Sequence, residues 1–183
     1  MTLVFLLEEP SMKSFLEGLV PRVAPGRPFI LVAHNGKQDL EKSIARKLRA
    51  WRDPSATFIV VRDQDAADCL EVKRRLLSLC AAGGREDVVV RVVCRALESW
   101  FLGDLAAVDA AFGTHLAGRQ MQRKYRDPDR LHAPHRELET LVPDFTKGAG
   151  ARALGPLVDL DNERSSSFRC FVRPLRAFAL ESS

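Results

Sequence analysis

The chain has 183 residues, 46% of them hydrophobic and 28% charged, which suits a single globular domain with a sizeable core and excludes a disordered or fibrous protein. Its formal charge of +4 and pI near 9.1 favour an anionic partner only mildly, because acids and bases are mixed along the whole chain. No apolar run approaches the roughly 20 residues needed to cross a bilayer. The first residues, Met1–Leu7, lack a basic leader and run directly into Glu8 and Glu9. A cytoplasmic protein with no membrane partner is expected.

Taken in chain order, Leu3–Leu7 reads as a first strand. Ser11 is placed to cap a helix through about Val20, with Phe15, Leu16, Leu19 and Val20 on its apolar side and Pro21 and Pro25 ending it. Phe29–Val32 is a second strand, followed by a turn at His34-Asn35-Gly36-Lys37. Leu40, Ile44, Leu48 and Trp51 recur at helical spacing over Asp39–Trp51, and Thr57–Val61 is a third strand. Ala66–Ala81 is helical, Gly83-Gly84 breaks it, and Val88–Val93 is a fourth strand.

Strands alternating with helical patterns imply βαβ units and a mostly parallel sheet flanked by helices. Beyond Glu98 the periodicity is purely helical, with one or two short helices through Phe112 and two or three more over residues 134–183. Between them, Gly113 to about Arg136 is polar and locally basic. The expected layout is one domain, with an α/β core over 1–104 and a helical extension over 105–183 packed on it.

Three strand ends run out on carboxylates. Glu8 and Glu9 follow the first strand, Asp63 and Asp65 follow the third, and Glu98 lies shortly after the fourth. In parallel α/β sheets, ligands sit beyond the carboxyl ends of the strands. Asp63 and Asp65 are spaced i, i+2, so in an extended chain both point to one side and can face one ion. Hard cations such as Mg²⁺ take oxygen ligands and keep waters for substrate phosphates. Glu8, Asp63 and Asp65 therefore read as a metal site for Mg²⁺ or Mn²⁺. Helix capping by the two aspartates is the plainer alternative.

This arrangement resembles the TOPRIM-like proteins, with a glutamate after the first strand and D-x-D after the third. The chain is identified more closely as a member of a small bacterial family, domain-of-unknown-function family 4276. Leu7-Glu8-Glu9-Pro10-Ser11, Gly36-Lys37-Gln38-Asp39-Leu40, Arg62-Asp63-Gln64-Asp65 and Leu97-Glu98-Ser99-Trp100-Phe101-Leu102-Gly103-Asp104 carry the resemblance. Lys147-Gly148-Ala149 and Arg164-Ser165-Ser166-Ser167-Phe168 extend it toward the C-terminus.

The resemblance implies a TOPRIM-like (Rossmann-like) fold and action on nucleic-acid phosphodiesters, as in topoisomerases, primases and overcoming-lysogeny-type nucleases. It also implies an AAA-type ATPase companion of the kind found in phage-defence loci. Carried onto this chain, Glu8 is a metal ligand or general acid/base, Asp63 and Asp65 are metal ligands, and Glu98 is a further acid. The chain departs from the pattern at Glu9, where glycine is usual, and at Met12 and Ala96, where relatives tend to carry acids. These departures keep a second reading open, a non-catalytic regulatory subunit of an ATPase complex.

Other residues divide between chemistry and packing. Lys37, after Gly36, is placed to neutralise a phosphate, and His34 is a weaker candidate ligand. His132 and His135 have helical spacing but Pro134 between them, and read as surface residues. Arg46, Lys47, Arg49 and Arg52 surround Trp51, a pattern that serves single-stranded nucleic acid or simply a core-facing helix. Trp100 and Phe101 read as packing, and Asp104 as a helix cap. Cys69, Cys80, Cys94 and Cys170 are scattered and read as small buried hydrophobes. Oligomeric state is left open, a homo-oligomer included.

Overall fold

A computed structural model describes residues 1–180. Four parallel strands, β1 (Leu3–Leu7), β2 (Phe29–Ala33), β3 (Thr57–Asp63) and β4 (Val89–Val93), form one sheet in the order β2-β1-β3-β4. The crossovers are α1 (Pro10–Val23), α2 (Lys37–Ala50) and α3 (Cys69–Ala82). The chain leaves β1 toward β2 and returns to β3 on the other flank of β1. The crevice between the ends of β1 and β3 is thus the topological switch point, where open α/β sheets place their ligands.

Alternation along the strands assigns two apolar faces. Leu3, Phe5, Leu7, Ile59 and Val61 join α1 and the C-terminal helices in one core, whereas Val4, Leu6, Phe58 and Val60 meet α2 and α3 in another. The second half supplies α4 (Glu98–Leu102), α5 (Leu105–Phe112), the single turn α6 (Arg123–Arg126), α7 (Pro134–Leu141), α8 (Lys147–Leu154) and α9 (Ser166–Leu180). Trp100, Phe101, Phe168 and Phe171 from this half bury themselves in the first core. Asp104 caps α5, accepting from the Ala107 N–H at 3.1 Å, as its sequence position predicts.

The helix α8 lies along α1 because both surfaces are bare at the crossing. A Cβ on Gly155 would meet the Phe15 carbonyl oxygen at 2.2 Å, and one on Gly18 would meet Pro156 Cδ at 2.6 Å. The contact brings the starts of α1 and α8 to the same rim of the sheet.

Several expectations are revised. α1 runs through Pro21 to Val23 rather than stopping at Val20, and Glu9, not Ser11, is its N-cap residue. Pro21 removes one intrahelical donor and crowds the carbonyl a turn earlier, and the helix continues past it because the buried Val20 and Val23 hold the last turn on the core. β3 extends two residues further than expected, so that Arg62 and Asp63 belong to the strand. α3 starts late, at Cys69, because the Asp68 carboxylate accepts from the Glu71 N–H at 2.9 Å. The cysteines are all free, but only Cys80 is fully buried and Cys170 is exposed. No helix among the described residues is long and apolar enough to cross a membrane.

Candidate functional site

The rim of the switch point collects charged side chains on both faces of the sheet. Glu8 follows β1 directly. Its N–H donates to the Val61 carbonyl at 3.2 Å, and its carbonyl accepts from the Gly36 N–H at 2.9 Å. Gly36, with φ of 96°, makes a turn that a side chain would strain. The Glu8 carboxylate folds over the end of β3 and accepts the Asp63 N–H at 3.0 Å, with Arg62 Nε at 3.7 Å. Burial raises the Glu8 pKa, and the nearby Asp65 and Glu9 charges add to it, partly offset by the Asp63 N–H and Arg62.

Asp63 continues the Ile59-Val61 alternation and so points into the core beneath α1, α4 and α8. It is 5% exposed, and its Oδ1 has no hydrogen-bond partner. Burial, followed by repulsion from Glu8, Glu9 and Glu98, pushes its carboxyl well above the ordinary value, while Lys147 pulls the other way. Glu98 starts α4, is 1% exposed and likewise has an orphaned oxygen, Oε2. Its Oε1 lies 3.2 Å from His135 Nδ1 and 3.9 Å from Lys147 Nζ. Lys147 also reaches Glu9 at 3.6 Å. Burial works against the charged Lys147 ammonium, but Glu98, Glu9 and Asp63 outweigh it and hold its pKa above the usual lysine value.

The other face carries a separate network. Arg62, one residue before Asp63, points the opposite way and bonds Glu41 of α2 at 2.7 Å; Arg75 of α3 holds the second Glu41 oxygen at 2.7 Å. Asp65 joins this face. The chain stops being extended at Gln64, and Asp65 has φ of 56°, so its carboxylate turns to Lys37 at 3.2 Å. The side-by-side placement expected for Asp63 and Asp65 needs an extended chain, and the turn removes that condition.

Four of the five sequence candidates thus fall into two groups, Asp63 with Glu98 on one face and Asp65 with Lys37 on the other. Glu8 bridges them through the Asp63 amide. Three residues of the cluster were not assigned a role from sequence. Glu9 departs from the family pattern, yet the alternation Leu3-Phe5-Leu7-Glu9 already places it on the Asp63 face. Lys147 was visible only as part of a motif. His135 was read as a surface residue; instead α7 starts at Pro134 and carries His135 onto Glu98, while its Nε2 lies 3.1 Å from Glu139. His132 precedes the helix and is exposed.

His34 is structural. Its Nδ1–H donates to the Leu7 carbonyl at 2.8 Å, which leaves Nε2 to accept from the Ser43 hydroxyl at 2.6 Å, both buried. Trp51 stacks edge-on against Phe58 with centroids 5.4 Å apart, so it belongs to the core rather than to a stacking platform.

Among the described residues, no three His, Cys, Asp or Glu side chains stand together in an arrangement that could hold a metal ion. The donor chemistry nevertheless fits a hard divalent cation. The face offers the carboxylate oxygens of Glu8, Glu9, Asp63 and Glu98 beside one imidazole, His135, and Asp63 Oδ1, Glu98 Oε2 and His135 Nδ1 are buried with no hydrogen bond made to them. Among the described residues, Lys147 is the lysine or arginine that approaches the Glu9 and Glu98 carboxylates.

The fold and rim define an α/β protein with an acidic cluster at the switch point of a parallel sheet. Residues 7–176 match the model of a family described as a domain of unknown function (DUF4276), and the chain belongs to that family. Among solved structures it is similar to the C-terminal region of the OLD protein of Xanthomonas campestris pv. campestris, with a TM-score of 0.50 and 17% identity. The match covers 99% of this chain and 97% of that one, and the likeness is one of fold. No curated protein matches the chain.

Proposed function

We propose that the chain is a Mg²⁺- or Mn²⁺-dependent, TOPRIM-like nuclease or nuclease-type effector acting on nucleic-acid phosphodiesters. The observation that carries this reading is the buried, unpartnered Asp63 oxygen inside a ring of carboxylates. A structural protein has no reason to keep such a group, because an unsatisfied buried acceptor among like charges costs stability. A divalent cation would relieve both problems.

Glu8, Asp63 and Asp65 are the proposed ligands and Glu98 a further acid. Because Asp65 lies on the opposite face with Lys37, joining the ion would require the turn at Gln64-Asp65 to re-extend as well as release of Lys37. The cation would polarise a phosphoryl oxygen and activate water. Around it, Glu8 keeps its carboxylate on the Asp63 amide, Lys147 offers an ammonium to a charged phosphate, and Lys37 a second point charge. Burial holds the inner acid Glu98 in place, with His135 Nδ1 3.2 Å away and not hydrogen-bonded to it. The TOPRIM-like sequence pattern supports the reading, and the fold shared with the OLD protein region is consistent with it.

The test is cleavage of single- and double-stranded DNA, structured RNA and transfer RNA with Mg²⁺ or Mn²⁺. Equal cleavage by wild type and a Glu8→Gln/Asp63→Asn double variant rejects the assignment. A regulatory subunit of an ATPase complex is the second reading, favoured by Met12. This residue is 1% exposed within the apolar core, at a position where the resemblance implies an acid. Tight capture of an AAA-type ATPase without divalent-ion affinity would select it.

A further inference from the structure

Two stretches of this chain are strongly basic, 42–52 and 119–136, and the second lies beside the acidic rim. Residues 119–136 contain six Lys or Arg (Arg119, Arg123, Lys124, Arg126, Arg130 and Arg136) against two acids, Asp127 and Asp129. That excess equals the formal +4 of the whole chain, so the remaining residues balance.

This segment is no floppy loop. Gln120, Tyr125, Pro128 and Pro134 are buried between the exposed cations. The Gln120 side chain accepts from the Leu105 N–H at 2.7 Å and donates to the Tyr125 carbonyl at 2.9 Å. Asp129 accepts from the hydroxyls of Ser165 and Ser166 at 2.7 and 3.0 Å, tying the segment to the start of α9. The core side chains hold the backbone while the basic ones face water. Such preorganisation lowers the entropic cost of binding an extended anion.

The cations line a cleft of about 550 Å³ formed by Arg123, Lys124, Arg126, Asp127, Arg130 and Leu131. Lys124 is engaged with Glu137 and Arg130 with Asp127. Arg119, Arg123, Arg126 and Arg136 meet no carboxylate within ion-pair distance among the described residues. Beyond Arg126 the surface is of mixed charge, with Asp159, Asp161 and Glu163 beside Arg164, and with Asp161 and Glu163 paired to Arg176 and Arg169. On the other side the Tyr125 hydroxyl donates to Glu137 of α7 at 2.5 Å, and the same short helix puts His135 on Glu98. The basic segment is therefore joined directly to the acidic rim.

We propose that residues 119–136 form the track that holds the phosphate backbone of a polynucleotide and leads it to the rim. The proposal rests on the nuclease reading for what happens at the rim, but not for the binding itself. Unpaired guanidiniums spaced along a rigid surface suit successive phosphates, which accept bidentate hydrogen bonds. An acidic protein partner is the competing occupant of the same charge.

The test measures binding of the full chain to a fluorescent DNA duplex in EDTA, so that no cleavage intervenes, across a salt series. The variant is Arg123→Gln/Arg126→Gln. The matched control is Lys73→Gln/Arg74→Gln, which removes from α3 two exposed cations that are unpaired among the described residues. Loss of two phosphate contacts lowers the slope of log K against log salt by about 1.8 and weakens binding about 30-fold at about 0.15 M salt. The control stays at wild-type slope and affinity, and thermal melts of both variants overlay the wild type.

An unchanged slope in the cleft variant, an equal loss in the control, or stronger binding of poly-L-glutamic acid than of DNA would overturn the track. The outcomes separate from those of the nuclease reading. Backbone binding lost with the arginines, in a protein that never cleaves, leaves the track standing and removes the nuclease. Cleavage that depends on Glu8 and Asp63, with binding indifferent to the arginines, does the reverse.

Discussion

Replacing Asp63 by asparagine should stabilise the metal-free protein while destroying its response to divalent ions. Asp63 is buried, lacks a partner for Oδ1, and faces Glu8, Glu9 and Glu98 with Lys147 as the opposing cation. Its folded carboxyl titrates above the unfolded value near 3.9, and Glu8 shifts in the same direction. Between the unfolded and folded values, the folded state holds more protons than the unfolded chain. Stability contributed by these groups is then greatest at acid pH and is lost as pH rises through the folded values.

Each unit of separation is worth about 1.4 kcal/mol. Asparagine keeps the shape, removes the charge and adds a donor for a neighbouring carboxylate. At neutral pH in EDTA the variant should therefore gain about 1–3 kcal/mol, which for a chain of this size raises Tm by about 2–12 °C. Its stability should also fall less steeply than that of the wild type as pH rises from about 4 toward neutrality.

With divalent ion at a hundred times its Kd, the wild type should gain about 2.7 kcal/mol, or about 5–11 °C, and Asp63→Asn almost nothing. Scanning calorimetry in EDTA and then in Mg²⁺ or Mn²⁺ measures both. An asparagine variant less stable than wild type in EDTA, or equal metal-induced shifts in the two proteins, would refute the reasoning.

Further outcomes follow from the same contacts. Lys147→Met removes the cation next to Glu98 and Glu9 and should cut cleavage by about 10²–10³-fold; a wild-type rate would show that Lys147 only balances charge. Gly155→Ala forces a Cβ to 2.2 Å from the Phe15 carbonyl, which backbone cannot yield cheaply. It should cost about 3 kcal/mol by urea unfolding, and an unchanged midpoint would mean α8 does not lie where described. Ser43→Ala leaves His34 Nε2 buried without a donor and should cost about 1–3 kcal/mol, whereas Ser43→Thr, which keeps the hydroxyl, should recover part of the loss.

Neighbouring residues are enough to place the four strands, their alternation with helices and the strand ends near which the acids lie. These follow from local periodicity, and β1 begins and ends where the apolar run Leu3–Leu7 does. The sequence also held the Glu9 placement, since period-two alternation needs no tertiary information. The sequence could not say that α8 crosses α1 at Gly18 and Gly155, and without that crossing Lys147 has no reason to stand beside Glu9.

Nor could it show that α7 turns His135 onto a glutamate 37 positions earlier in the chain. Backbone conformation at one residue decided another point: a positive φ at Asp65 sends its carboxylate to Lys37, though the D-x-D spacing points both acids the same way. Strand and helix repeats are written in neighbouring residues, so they are legible. The partners of a buried charge are chosen by how helices pack, and only the folded chain settles that.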